Sequence, residues 1–113
     1  MSYDVSLWKD KQIVSVPRHE EGGTYALGGI DIADLNITFN YANQYAKYDF
    51  SIKDIDKQLA GNWIKTMESV VNVLGTVCDK DYWESTPGNA GYALNILLGW
   101  AKQHPDAMFR VLH

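Results

Sequence analysis

Apolar and polar residues alternate along residues 2–8, with Tyr3, Val5 and Leu7 on one side and Ser2, Asp4 and Ser6 on the other. That is the period of a half-buried strand. The triplet Lys9, Asp10, Lys11 reads as a turn, and "QIVSV" at 12–16 as a second strand folding back in a hairpin. Pro17 lacks a backbone donor and is expected to end that pairing. Residues 17–31, "PRHEEGGTYALGGID", carry two glycine pairs and read as a loop or an irregular, bulged strand. A third alternation, "LNITFNY", sets Leu35, Ile37, Phe39 and Tyr41 inward and Asn36, Thr38 and Asn40 outward, which predicts a strand over 34–41. Residues 42–54 fit either a short helix through Tyr45 followed by an extended piece or a plain connection.

From Ile55 the period changes. Ile55, Leu59, Trp63, Met67, Val70 and Leu74 form one helical stripe, with Asp54 placed to cap its start and Gly75 to stop it. Gly61 inside that run costs up to ~1 kcal/mol against Ala, which points to a close approach there. A second helix opens at "STPGNAG", with Thr86 as N-cap and Pro87 in the first helical position. Its stripe is Ala90, Leu94, Leu97, Leu98 and Ala101, widened by Ile96 and Trp100, and Pro105 stops it near His104. "AMFRVL" at 107–112 supplies a last strand. The expected architecture is α+β, a small antiparallel sheet of three to four strands with two helices packed on one face, in a single domain over 1–113.

The totals agree with one globular domain: 113 residues, 46% hydrophobic and 21% charged. A net charge of −4 without a cluster of Lys and Arg argues against binding a nucleic acid polymer. Cys78 is alone, the start "MSYDVSLWKD" has no signal-peptide character, and no apolar run reaches the ~18 residues of a membrane span. A cytoplasmic protein is expected, with no membrane partner.

Catalytic chemistry has little to work with. His19 stands beside Glu20 and Glu21, but neighbours in sequence on a loop do not converge, and no metal-ligand spacing supports them. His104 is expected to favour the carbonyl end of its helix, and nothing is assigned to His113. Asp79 and Asp81 oppose a thiolate at Cys78. The glycine pairs match neither a phosphate-binding loop nor a dinucleotide fingerprint. No catalytic residue, metal or cofactor is expected. What stands out is a set of uncharged hydrogen-bonding groups beside glycines and aromatics. The candidate ligand-binding residues are Gly23, Thr24, Tyr25, Asn36, Thr38, Asn40, Tyr82, Trp83, Thr86, Gly88 and Asn89. Glycines permit close approach, Tyr and Trp stack, and amides read donor and acceptor patterns without titrating. A helix start at Thr86 adds partial positive charge suited to phosphate or carboxylate.

In this order, "MSYDVSL", "GGTYALGG", "LNITFNY", "DYW", "TPGNAGYAL" and "HPDAMF" resemble a family of small phage and prophage proteins. The family pattern is a MSYD start, GGTYxxGG, LNxTYNY and DYWxxTxGNA; here Phe39 replaces a Tyr of that pattern. The resemblance implies provenance and no settled activity. With the site chemistry it raises a leading expectation: a non-catalytic binding protein that recognises a small polar or phosphate-bearing ligand and sequesters a host-defence signal. The rival is an antagonist of a host protein with exposed Trp and Tyr anchors. A third class is an enzyme built on His19 with Glu20 or Glu21. A homodimer is a further expectation, because the edge of so small a sheet needs cover.

Overall fold

The computed structural model describes residues 1–19 and 30–113. In chain order its elements are β1 Ser2–Lys9, β2 Gln12–Ile13, β3 Ser15–His19, β4 Ile30–Ile32, β5 Asp34–Thr38, α1 Ala42–Ala46, α2 Ile64–Leu74, α3 Pro87–Gln103 and β6 Met108–Leu112. Short 3-10 turns span Phe39–Tyr41, Ile52–Ile55 and Ala60–Trp63. The fold is α+β, as expected.

The first strand is the axis of a four-stranded antiparallel sheet. Along one side lies β6, paired from Asp4↔Leu112 to Trp8↔Met108. The other side is shared: β5 pairs with the first part of β1, from Ser2↔Thr38 to Ser6↔Asp34, and β2 pairs with Trp8 and Lys9. Alternation then decides the faces. Tyr3, Val5, Leu7, Leu35, Ile37, Phe109 and Val111 are buried and join the inner stripes of α2 and α3 in one hydrophobic core. Each such side chain contributes roughly 1.5–3 kcal/mol on burial, before chain entropy opposes it. Ser2, Asp4, Ser6, Trp8, Asn36 and Arg110 are left on the outer face.

Several boundaries differ from the sequence expectation, each for a tertiary reason. The second strand is split. Its turn is the two residues Asp10 and Lys11, at φ 53° and 66°, the left-handed pair of a tight hairpin. Ala33 occupies the same edge of β1: Leu7 N donates to its carbonyl at 3.1 Å, while Val14 N donates to Leu7 O and Ala33 N to Val14 O, both at 3.0 Å. The hairpin therefore ends at Ile13, and the chain leaves as β3 to form a separate pair with β4. Pro17 does not end a strand. It lies exposed within β3, where the register shifts between Ser15 and His19, a placement tolerated at irregular or edge pairings.

The third strand stops at Thr38, not Tyr41. The Thr38 hydroxyl accepts from Asn40 N at 3.2 Å and turns residues 39–41 into a 3-10 helix. The long helix expected from Ile55 begins only at Ile64. Ser51 and Asp54 form a capping box on the short turn Ile52–Ile55. Residues 56–59 then run beside β6: Lys57 N donates to Phe109 O at 2.9 Å, Phe109 N to Gln58 O at 3.0 Å, and Val111 N to the Asp56 carboxylate at 2.9 Å. An edge strand needs those partners more than the chain needs another helical turn. Ile55 is still buried, but Leu59 is exposed.

Other expectations are met. The helix α3 is capped by Thr86, has Pro87 in its first turn and ends at Gln103 with His104 as its C-cap; β6 is the last strand. Gly61 makes the close approach its position implied, donating to the Pro105 carbonyl at 2.8 Å where a Cβ would lie 2.9 Å from the same oxygen. Among the described residues no helix is long and apolar enough to cross a membrane.

Candidate functional site

Between α2 and α3 the chain runs through residues 75–86, and the motif side chains Asn40, Tyr41 and Asn89 converge on the second half of that connection. From one side come residues of the 3-10 turn and α1. Asn40 Nδ2 donates to Trp83 O at 2.8 Å, the Tyr41 hydroxyl to Tyr82 O, and Gln44 Nε2 to Ser85 O at 2.8 Å. The Ser85 hydroxyl returns a bond to Asn43 Oδ1 at 2.6 Å. From the other side comes Asn89, on the first turn of α3 and fully buried. Its Oδ1 accepts from Asp79 N at 2.8 Å, and its Nδ2 donates to the carbonyls of Asp81 and Glu84, both at 3.0 Å. A third carbonyl, Tyr82 O, stands at 3.5 Å.

The result is a loop whose carbonyls are held by side-chain amides and a hydroxyl. Two large side chains remain outside. Tyr82 is 43% exposed and Trp83 52%. Their ring centroids are 5.4 Å apart with the planes at 80°, the edge-to-face arrangement that aromatic quadrupoles favour. The neighbouring positions are acidic, with Asp79, Asp81 and Glu84 against Lys80.

The structure gives these side chains partners within the chain. Asn89 is fully buried and its amide is committed to the loop backbone; Asn40 stays exposed, with Nδ2 donating to Trp83 O. Thr38 is spent on its own cap, and Asn36 sits apart on the outer sheet face, donating to Ser2 Oγ at 2.7 Å and Asp4 Oδ1 at 2.8 Å. The three side chains that alternation set on one strand face therefore serve three local structures. The start of α3 is also occupied. Thr86 Oγ1 accepts from Asn89 N at 3.1 Å, and a Cβ on Gly88 would lie 1.7 Å from the Val77 carbonyl, so the preceding chain passes directly against that turn. An open anion cradle there is not what the chain builds. Gly23, Thr24 and Tyr25 lie outside the described residues.

The titratable candidates have structural settings. His19 is buried, its ring centroid 5.2 Å from that of Trp100 and its Nε2 2.8 Å from the Ile32 carbonyl. His104 Nε2 reaches Ser15 O at 2.9 Å, so it ties α3 to β3 instead of serving its own helix end. Cys78 Sγ lies 3.8 Å from Thr76 O. The Tyr45 hydroxyl, fully buried, donates to Ala90 O at 2.7 Å; burial, then the neighbouring Tyr41 and Tyr3, push its pKa well above the usual tyrosine value, which keeps it a neutral donor. Among the described residues no three His, Cys, Asp or Glu are grouped to hold a metal. Sequence reasoning missed Asn43, Gln44 and Ser85. They carry no pattern of their own, and only the docking of α1 on the loop gives them partners.

Comparison of the chain with protein-family models, with curated proteins and with solved structures finds no match.

Proposed function

We propose that this chain is a non-catalytic binding module that grips another protein through Tyr82 and Trp83. The observation that carries the reading is an exposed aromatic pair on a loop whose backbone is already fixed by Asn40, Tyr41, Gln44 and Asn89. A pre-ordered loop loses little further entropy on docking, and buried Trp and Tyr dominate interface energies. Acids at 79, 81 and 84 favour a partner surface with basic residues around an apolar hollow. The resemblance to phage and prophage proteins makes a host protein the natural partner, with antagonism of a defence component as the consequence. Recognition of a small polar metabolite by Asn40 and Asn89 fits less well, because Asn89 is fully buried and bonded to the loop, and Asn40 already donates to Trp83 O. The protein-contact reading requires only the ring faces.

The test is affinity capture from host extract, followed by direct binding of the identified partner. Trp83→Ala and Tyr82→Ala should fold normally and each weaken binding by roughly 2 kcal/mol or more, about thirtyfold. Binding should also weaken with added salt. A partner retained equally by wild type and both variants would remove the reading, as would a nucleotide panel that raises the melting temperature in an Asn40-dependent way.

A further inference from the structure

A second arrangement, sharing no residue with the Tyr82–Trp83 loop, lies on the outer face of the sheet. Because Tyr3, Val5 and Leu7 turn inward, Trp8 falls on the outer side, where its indole Nε1 donates to Ser6 Oγ at 2.7 Å and fixes the ring. The Arg110 guanidinium stands 4.9 Å from that ring's centroid. Next to them is a groove of about 430 Å³ bordered by Lys11 and Lys57 as well as Arg110. The one carboxylate in its wall among the described residues, Asp56, already accepts from Val111 N at 2.9 Å. Met108 and Leu112, 48% and 59% exposed, supply apolar surface.

The charge balance here is opposite to that of the chain. The whole sequence carries −4, yet among the described residues three cations meet one acid at this groove. Among the described residues none of the three cations has an ion-pair partner. Lys11 and Lys57 both stand at positive φ, 66° and 61°; the Lys9↔Gln12 pair closes the turn that holds Lys11, and Lys57 N donates to Phe109 O at 2.9 Å, so their stems leave from set points. The volume lies within the range of small-molecule sites, and an aromatic wall with a few convergent polar groups is their usual lining.

We propose that this groove binds a small amphipathic anion, a flat apolar body laid against Trp8 with a carboxylate, phosphate or sulfonate held by Arg110, Lys57 and Lys11. Arg offers a planar fork to such a group and the lysines add point charge. Sequence reading could have flagged Trp8 by parity alone, since a large apolar side chain on the wet face of a strand has no core to enter.

The probe is anilinonaphthalene sulfonate, an aromatic anion, compared with N-phenylnaphthylamine, which has the same rings without the charge. Amide and indole NMR of the intact chain should show the anion shifting Trp8 Nε1, Lys57 and residues 108–112. The anion should bind roughly tenfold tighter than the neutral probe, and Arg110→Gln and Lys57→Gln should each weaken it several-fold to tenfold. Both variants replace exposed side chains, and unchanged signals elsewhere report an intact fold. Equal binding of the neutral probe, shifts confined to other surfaces, or undiminished affinity in Arg110→Gln would each overturn the assignment.

Discussion

Replacing Asn89 by Ala removes the one fully buried side chain that ties the connection before α3 to the helix itself. Three bonds of good length are lost: Asp79 N to Oδ1 at 2.8 Å, and Nδ2 to the Asp81 and Glu84 carbonyls at 3.0 Å. The contact to Tyr82 O at 3.5 Å is long enough to add little. At about 1 kcal/mol net per bond the loss is about 3 kcal/mol. Water can reach part of the loop once it loosens, since Asp79 and Glu84 are exposed, which returns some of that. The expected destabilisation is therefore about 2–3 kcal/mol, a large share of the 5–15 kcal/mol typical of a domain. In urea, with a slope of about 1.5 kcal/mol per molar, the midpoint should fall by about 1.3–2 M. Melting should drop by about 8–12 °C. Amide exchange adds a local readout, because Asp79 N loses its acceptor and should exchange at least about tenfold faster. A midpoint shift worth under about 0.5 kcal/mol, with Asp79 exchange unchanged, would refute the view that Asn89 organises this loop.

Two glycines of α3 should respond oppositely to Ala. A Cβ at Gly88 meets the Val77 carbonyl at 1.7 Å, which forces backbone movement and should cost about 3 kcal/mol or more, whereas Gly99 has nothing within 4 Å and should gain about 0.5–1 kcal/mol from helix propensity; denaturant midpoints of the two variants check both signs. Burial, then the nearby Asp4, raises the pKa of Asp34 above its ordinary 3.8, with His19 opposing. A raised carboxylate favours its protonated form in the folded state, so folding weakens as pH rises from the unfolded value through the folded one. Asp34→Asn should therefore match wild type in acid and be more stable by a few tenths of a kcal/mol, roughly, at neutral pH, the difference being small because the group is mostly solvated. Melting curves across that pH range would show the two converging in acid.

Local chemistry was legible wherever one residue's own properties settled the outcome. Alternation placed Tyr3, Val5 and Leu7 inward on β1, and the Thr86, Pro87 pair set the start of α3 to the residue, because a side-chain oxygen and a missing donor act over one turn of chain. The last strand and the close approach at Gly61 were likewise readable. Periodicity failed where a distant segment competed for the backbone. Ile55 and Leu59 continue the stripe of α2 in sequence, yet the edge of β6 draws residues 56–59 into pairing. Ala33 truncates the hairpin in the same manner.

The amides show the division most clearly. Their clustering in "LNITFNY" and "TPGNAG" was visible in the chain, where their type suggested groups that read a ligand. Which partners they have depended on α1 and α3 converging from opposite sides on residues 79–85. A side-chain amide satisfies a buried carbonyl of its own chain as well as it would satisfy a ligand, and nothing in its type or spacing distinguishes the two. Sequence alone determined which side chains could form hydrogen bonds and which faces were apolar. Only the tertiary packing decided that Asn40 and Asn89 bond to the backbone of one loop, leaving the Tyr82 and Trp83 rings facing out.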